Sequence, residues 1–172
     1  NGDLLLMESR TSVRRITSHL LEQGRTLPGF IGDIGYAQSN RERYEGFCQA
    51  LTDAGKKVDS SLCLTTPLGI DTYREEIDTF LSSLSRMPDA FVCASDYVAC
   101  ILMQLLEKRG LRVPEDVAVS GFDNNTEDLL AEHLTTVQVF NEELGARLAL
   151  QILYRIKYPN TPHEITYLGT NV

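Results

Sequence analysis

The chain has 172 residues, of which 42% are hydrophobic and 23% are charged, a composition that suits a folded domain and not a disordered chain. Its 24 Asp and Glu outnumber its 16 Lys and Arg, and the formal net charge of −8 argues against a nucleic-acid-binding surface on this chain. No apolar run approaches the roughly 18 residues of a membrane span. The chain begins at Asn1 without a basic-then-apolar signal segment, so we expect a piece of a longer protein or the loss of an upstream segment.

Short apolar runs alternate with amphipathic stretches along the chain. The apolar runs predict strands at 3–7, 29–33, 62–64, 90–93, 117–122, 134–139 and around 165–168. The amphipathic stretches predict helices at 11–23, 39–55, 72–84, 96–108 and 141–156. Two helix starts carry capping-box patterns, Ser39-Asn-Arg-Glu42 and Thr72-Tyr-Arg-Glu75. This alternation predicts an α/β fold, a parallel sheet with helices on both faces.

Ligands of open α/β sheets bind beyond the carboxyl ends of the strands, and this rule selects residues 33–39, 65–71, 94–96 and 122–126. The polar side chains of these stretches that suit a polyol are Ser39, Asp96, Asp123, Asn124 and Asn125. Arg43 lies one helical turn beyond Ser39, so both face the same side of the predicted helix. A guanidinium that donates and carboxylates that accept form a clamp for a neutral hydroxylated ligand.

Each of these residues also has a purely structural interpretation. Ser39 and Asp96 are placed where side chains cap helices. Arg43 fits a surface ion pair, and Asp123 fits a plain turn. The four cysteines have no metal-like spacing, so we predict reduced thiols, no metal site and no cofactor. A nucleophile elbow, a phosphate-binding loop and a dinucleotide fingerprint are all missing from the sequence, which argues against an enzyme and predicts no catalytic residue.

The most specific motif of the sequence is the run at 111–124, Leu-Arg-Val-Pro-Glu-Asp-Val-Ala-Val-Ser-Gly-Phe-Asp-Asn. Together with three further segments, in order, this run resembles the LacI/GalR family of bacterial transcriptional regulators. Residues 30–55 resemble the family's strand and S-x-x-x-R-x-x-G-[FY]-x-x-A-L segment. Residues 88–99 resemble its P-[TD]-A-[IV]-x-x-x-N-D-x-x-A segment, and residues 134–149 its L-T-T-[VI] strand and following helix. The resemblance covers nearly the whole chain.

The resemblance implies a periplasmic-binding-protein-like fold of type I, in which a ligand binds between two α/β subdomains. Residues 1–8 would end the first subdomain, and 9–138 would form the second, C-terminal subdomain. Residues 139–160 would be a crossover helix that belongs to the first subdomain, and 161–172 would be a return strand region. The helix-turn-helix headpiece would lie outside this chain, which would then be mainly the C-terminal subdomain.

The resemblance also implies a function and a site. A sugar or another small polar effector would bind in the cleft between the subdomains and change the affinity of a repressor for operator DNA. By position, Arg43 would hold the effector and Asp123 would accept from it. Asp96 and Ser39 would line the cleft, and Pro67 falls where some members place an aromatic side chain on the ligand.

The partners implied by the resemblance are the small-molecule effector, operator DNA bound through the absent headpiece, and a second copy of the chain in a homodimer. The location implied is the cytoplasm, with no membrane partner.

Two other functions fit parts of the pattern. A periplasmic sugar-binding protein of a transport system would use the same cleft chemistry. A flavodoxin-like or receiver-like enzyme or signalling domain would need a phosphate-binding loop, or an acidic cluster with a nearby Lys. The run at 113–123 and the cysteines favour the regulator.

Overall fold

The computed structural model describes residues 2–69, 71–124 and 134–172. Its strands are β1 (Leu4–Met7), β2 (Pro28–Ile31), β3 (Cys63–Leu64), β4 (Ala90–Cys93), β5 (Ala118–Ser120) and β6 (Ile165–Leu168). Its helices are α1 (Arg10–Glu22), α2 (Gln38–Asp53), α3 (Tyr73–Ser83), α4 (Asp96–Lys108) and α5 (Asn141–Lys157), and a short 3-10 turn at Ser60–Leu62 precedes β3. All five predicted helices are present, which confirms the α/β class.

The main sheet is parallel and has the strand order β3-β2-β4-β5. The chain adds β3 on one side of β2 and then crosses back to add β4 on the other side. The direction of winding therefore reverses between β2 and β4. Such a topological switch point leaves a crevice at the carboxyl ends of the two strands, where open α/β sheets bind their ligands.

Alternate residues of the two central strands face opposite layers of helices. Phe30 and Val92 pack with α1 and α2, whereas Ile31 and Phe91 pack with α3 and α4. All four side chains are fully buried. Because both faces of the sheet are covered, β2 and β4 are continuous apolar runs without a polar residue at every second position. The predicted arrangement of helices on both faces is confirmed.

Strands β1 and β6 form a second, two-stranded parallel sheet that is separate from the main sheet. Asp3 ties this sheet to α5, because Arg155 lies 2.5 Å from its carboxylate and Gln151 donates to the same group at 2.7 Å. The backbone N–H of Glu164, just before β6, donates to the carboxylate as well. These bonds, led by the one from Arg155, hold the pKa of Asp3 well below its usual range.

Helix α5 contains no buried residue. Its large exposed apolar side chains are Leu148, Leu150, Ile152, Leu153 and Ile156. Water-soluble helices normally hide one apolar stripe, so this composition is typical of a helix that is covered by further protein.

The strand predicted at 134–139 is wrong. Among the described residues, this segment makes two isolated parallel bridges to the β5 side, Thr135 with Ser120 and Gln138 with Asp123. Asp123 has a φ of 107°, so the backbone beyond β5 leaves the extended conformation. A regular ladder cannot continue past that residue, and the segment runs beside β5 without becoming a strand.

Neither predicted capping box forms. The N-cap of α2 is Ala37, because Asp33 closes the preceding turn by accepting two backbone N–H bonds. Ser39 therefore lies in the first turn of α2 and is not its cap. Thr72 is the N-cap of α3, but its hydroxyl lies within hydrogen-bond distance of the Glu76 carboxylate and the Gly69 carbonyl oxygen and accepts no backbone N–H of the helix.

We expect the contact between α1 and α2 to tolerate no side chain at Gly46. A Cβ there would lie 2.2 Å from the carbonyl oxygen of Arg10, so Gly46→Ala must push the helices apart. We expect a loss of about 1–3 kcal/mol in the free energy of unfolding, measured by urea denaturation. Gly145→Ala in α5 is the matched control, since a Cβ there has open space, and we expect a gain of about 0.5–1 kcal/mol. A destabilisation of the same size in both variants would contradict the steric explanation.

Candidate functional site

A cavity of about 250 Å³ opens at the carboxyl ends of β2 and β4, at the switch point of the sheet. Three of the five predicted site residues, Ser39, Arg43 and Asp123, lie together on its wall. The polar side chains that share this wall without having been singled out from the sequence are those of Asp33, Tyr36, Asn40, Tyr73 and Ser95. The strand-end rule thus selected three residues that the fold brings together at one cavity.

Arg43 is the most constrained side chain of the cavity. It is only 5% exposed, and its planar guanidinium lies 3.6 Å from the centre of the Phe122 ring. One terminal nitrogen donates to the carbonyl oxygen of Ala94 and the other to Oδ1 of Asp123, at 3.3 Å. Its Nε is buried without a hydrogen-bond partner. Burial lowers the pKa of Arg43 and the carboxylate of Asp123 opposes the shift. This burial excludes the surface ion pair.

Asp123 follows β5 in an unusual backbone conformation. A φ of 107° is rare for a residue with a side chain and is maintained at a cost of about 1–3 kcal/mol. The backbone N–H donates to the carbonyl oxygen of Val137 at 3.0 Å, which fixes the turn, and the side chain turns back to Arg43. Burial raises the pKa of the Asp123 carboxyl, Arg43 opposes that rise, and Asp96 adds to it.

Asp96 lies behind the wall of the cavity. It is 2% exposed, and its Oδ1 accepts a hydrogen bond from the hydroxyl of Thr136 at 2.5 Å. Its backbone N–H donates to the carbonyl oxygen of Phe122 at 2.8 Å. Ser95, and not Asp96, caps α4. The contacts of Asp96 therefore join the start of α4 to the end of β5 and to the segment beyond it.

The remaining residues singled out from the sequence do not lie on the described wall of the cavity. Pro67 is exposed, and the described wall of the cavity does not include it. Asn124 donates its side-chain amide to Gln138, which supports the turn after β5. Asn125 lies outside the described residues.

Asp33 is a wall residue that the same strand-end rule reaches, because it follows β2 almost directly. Its Oδ1 accepts from the backbone N–H groups of Gly35 and Tyr36, and its Oδ2 lies 3.4 Å from the backbone nitrogen of Leu68. These bonds hold the loop after β2 against the loop after β3 and fix the position of Tyr36.

Tyr73 reaches the cavity from the start of α3, which no local pattern connects with the ends of β2 and β4. Its ring meets that of Tyr97 edge-on, with centroids 5.7 Å apart. Its presence on the wall follows from the packing of α3 against α4, so only the tertiary structure reveals it.

The chemistry of the cavity is that of hydrogen bonding. Among the described residues, no group of three or more His, Cys, Asp and Glu is placed to hold a metal ion. No helix in the described part of the chain is long and apolar enough to cross a bilayer. The wall offers donors on Arg43 and acceptors on Asp123, with hydroxyl and amide groups beside them.

Residues 17–172 match the model of the periplasmic binding protein-like domain, and the chain belongs to this family. Its relatives are LacI-family transcriptional regulators. The regulator DegA of Bacillus subtilis (strain 168) is 32% identical over 146 residues, which are 84% of this chain and 42% of that protein. The chain spans about half the length of the curated relatives it matches.

Solved structures agree in fold. The transcriptional regulator CelR in complex with cellobiose is 27% identical, with a TM-score of 0.88 over 99% of this chain and 52% of that chain. A LacI-type regulator from Bifidobacterium animalis subsp. lactis has a TM-score of 0.86 over 99% of this chain and 65% of that chain, and at 24% identity it supports the fold alone. These matches confirm the periplasmic-binding-protein-like fold and favour a regulator over a transport receptor.

The hydrogen bond from Thr136 to Asp96 can be tested by its effect on the stability of the domain. Thr136→Val keeps the shape of the side chain but removes the hydroxyl that donates to a buried carboxylate. We expect a loss of about 1–3 kcal/mol in the free energy of unfolding, measured by urea denaturation at neutral pH. Thr135→Val is the matched control on the neighbouring exposed residue, and we expect a change within about 0.5 kcal/mol. Equal effects of the two substitutions would show that Asp96 does not depend on this donor.

Proposed function

We propose that this chain is the effector-sensing domain of a LacI-family transcriptional regulator, in which a sugar or another small polar molecule binds at the cavity. The observation that carries the proposal is Arg43. A buried, charged guanidinium with an unpartnered Nε, fixed between Ala94, Asp123 and the Phe122 ring, lies at the switch point of the sheet. The stability of the fold does not explain a cation at this position, because an apolar side chain would fill the same space at a lower free-energy cost than a buried charge.

The roles that we propose follow from the positions of the groups. Arg43 donates to the effector, Asp123 accepts from its hydroxyl groups, and Ser39 contributes a hydroxyl from the first turn of α2. Asp96 acts as a positioning residue, because it supports the turn that carries Asp123 and does not lie on the described wall. Pro67 is exposed and lies outside the described wall, so its contact with the effector stays a prediction.

We further propose that residues 9–138 form one subdomain, and that residues 1–8, the crossover helix at 139–160 and the return region at 161–172 belong to the other. The separate β1–β6 sheet and the uncovered apolar residues of α5 support this division. Closure of the two subdomains on the effector would be the conformational change that is transmitted to operator DNA.

In this proposal the domain is not an enzyme and requires no cofactor. DNA is bound through a headpiece outside this chain, in a homodimer whose symmetry matches a palindromic operator. The net charge of −8 agrees with a sensing domain that leaves phosphate contacts to another domain. The proposed location is the cytoplasm, where operator DNA is found, and no membrane partner is proposed.

Arg43→Ala in the full-length regulator tests the proposal. We expect operator binding to persist and its response to the effector to be lost, because the substitution removes the central donor without touching a DNA contact. Gel-shift or anisotropy titrations of operator DNA, with and without effector, measure both quantities. Arg14→Ala is the control, since that exposed arginine pairs with Asp53 away from the cavity. An Arg43→Ala protein whose operator affinity still responds at an unchanged effector concentration would refute the role of Arg43. Retained operator binding shows in the same assay that the variant is folded.

A further inference from the structure

The wall of the cavity carries more negative than positive charge. Arg43 is the one cation among its described residues, and the carboxylates of Asp33 and Asp123 lie on the same wall. Asp96 lies directly behind it and interacts electrostatically with both Arg43 and Asp123. The described wall therefore carries two carboxylates and one guanidinium, which is already paired with one of them, and a third carboxylate lies behind it.

The neighbouring surface does not compensate for this excess. A second cavity shares Tyr36 and Ala37 with the first, and its charged residues are Arg10, Arg41, Glu42 and Glu45. Two cations and two carboxylates leave it neutral, and Arg10 is bonded to Glu45. An anionic ligand at the first cavity would therefore meet a net repulsive field.

The helix starts at the cavity differ in what they offer. In α4, Ser95 accepts the N–H of Val98 and the N–H of Asp96 is bonded to Phe122, so this helix start is already satisfied. In α2, the N-cap Ala37 supplies no side-chain acceptor. The first N–H groups of α2 can donate to a hydroxyl oxygen of a ligand. A phosphate at the same place would need a second guanidinium to balance its charge, and the described wall has only Arg43.

Two tyrosines form an aromatic side of the same cavity. Tyr36 is 77% exposed, and the bonds to Asp33 fix its backbone position. Tyr73 is partly buried, and its ring is set by the edge-on contact with Tyr97. Burial is the largest cause that raises the pKa of Tyr73, followed by the charge of Asp33 and the hydroxyls of Tyr36 and Tyr97. These groups therefore lie close to the Tyr73 hydroxyl. Aromatic faces bind the apolar C–H face of a ring, whereas Arg43 and Asp123 meet its hydroxyl edge.

We infer that Tyr36 and Tyr73 are specificity-determining residues for an uncharged sugar ring, and that the excess of carboxylates at the wall excludes phosphorylated and carboxylated sugars. This inference rests on the proposed function and narrows its class of effector. The neutral ring is the one partner that can use the donor, the acceptors and the aromatic faces together.

A matched panel of ligands tests the inference on the full-length protein. Glucose, ribose and cellobiose are the neutral probes, and glucose 6-phosphate, ribose 5-phosphate and glucuronate are their anionic counterparts. Isothermal titration calorimetry gives each Kd, and the shift in Tm gives an independent ranking. We expect at least one neutral probe to bind and its charged counterparts to bind at least about tenfold more weakly.

Variants of the two tyrosines test the aromatic side separately. Tyr36→Ala and Tyr73→Ala are expected to weaken the neutral probe about tenfold, whereas Tyr73→Phe, which keeps the ring, is expected to stay within about threefold. Retained operator binding controls for folding. A weakening below about twofold in both alanine variants would overturn the role of the tyrosines.

The outcomes separate this inference from the proposed function. A charged counterpart that binds as tightly as the neutral probe, or more tightly, overturns the inference and leaves effector binding at Arg43 intact. Binding of neutral probes that is unchanged in Arg43→Ala places the ligand elsewhere and overturns both. The absence of binding by every probe overturns the inference as well, and the operator assay with Arg43→Ala then decides the proposed function on its own.

Discussion

The burial of the Arg43 guanidinium constrains the residues that surround it. Arginine keeps its proton in proteins, so Arg43 must have acceptors in fixed directions wherever the chain buries it. Those acceptors come from the turn after β4, at Ala94, and from the turn after β5, at Asp123. The order of the sheet, the start of α2 and the conformation of both turns are therefore linked through one side chain, which binds three elements that are distant in sequence.

The carboxylates near Arg43 have different tasks because their surroundings differ. Asp123 is partly exposed to the cavity and is available to a ligand. Asp96 is fully covered, and its bond with Thr136 turns it into a structural link between α4 and the chain beyond β5. Asp33 accepts backbone N–H groups and shapes two loops. The same functional group thus faces the cavity at Asp123, supports a turn at Asp96 and shapes two loops at Asp33.

Sequence patterns predicted those parts of the molecule that depend on local order. The ends of β4 and α4 follow from a short apolar run and a strong helical period, and the strand-end rule reached Ser39, Arg43 and Asp123. The failures depend on tertiary contacts. The conformation of Asp123 ends the ladder that 134–139 would have continued, and the turn at Asp33 moves the start of α2 away from Ser39. Tyr73 reaches the cavity only because α3 packs against α4, which no spacing of residues encodes.

The positive φ of Asp123 has a consequence for any attempt to engineer the domain. Glycine adopts such a conformation without strain, so Asp123→Gly would relieve the turn while it removes the carboxylate from the cavity. The same change would take an acceptor away from the buried guanidinium of Arg43, a loss that outweighs the relief of the backbone. The strained backbone at Asp123 is therefore tied to the buried charge of Arg43, because the residue that relaxes the turn cannot supply the acceptor.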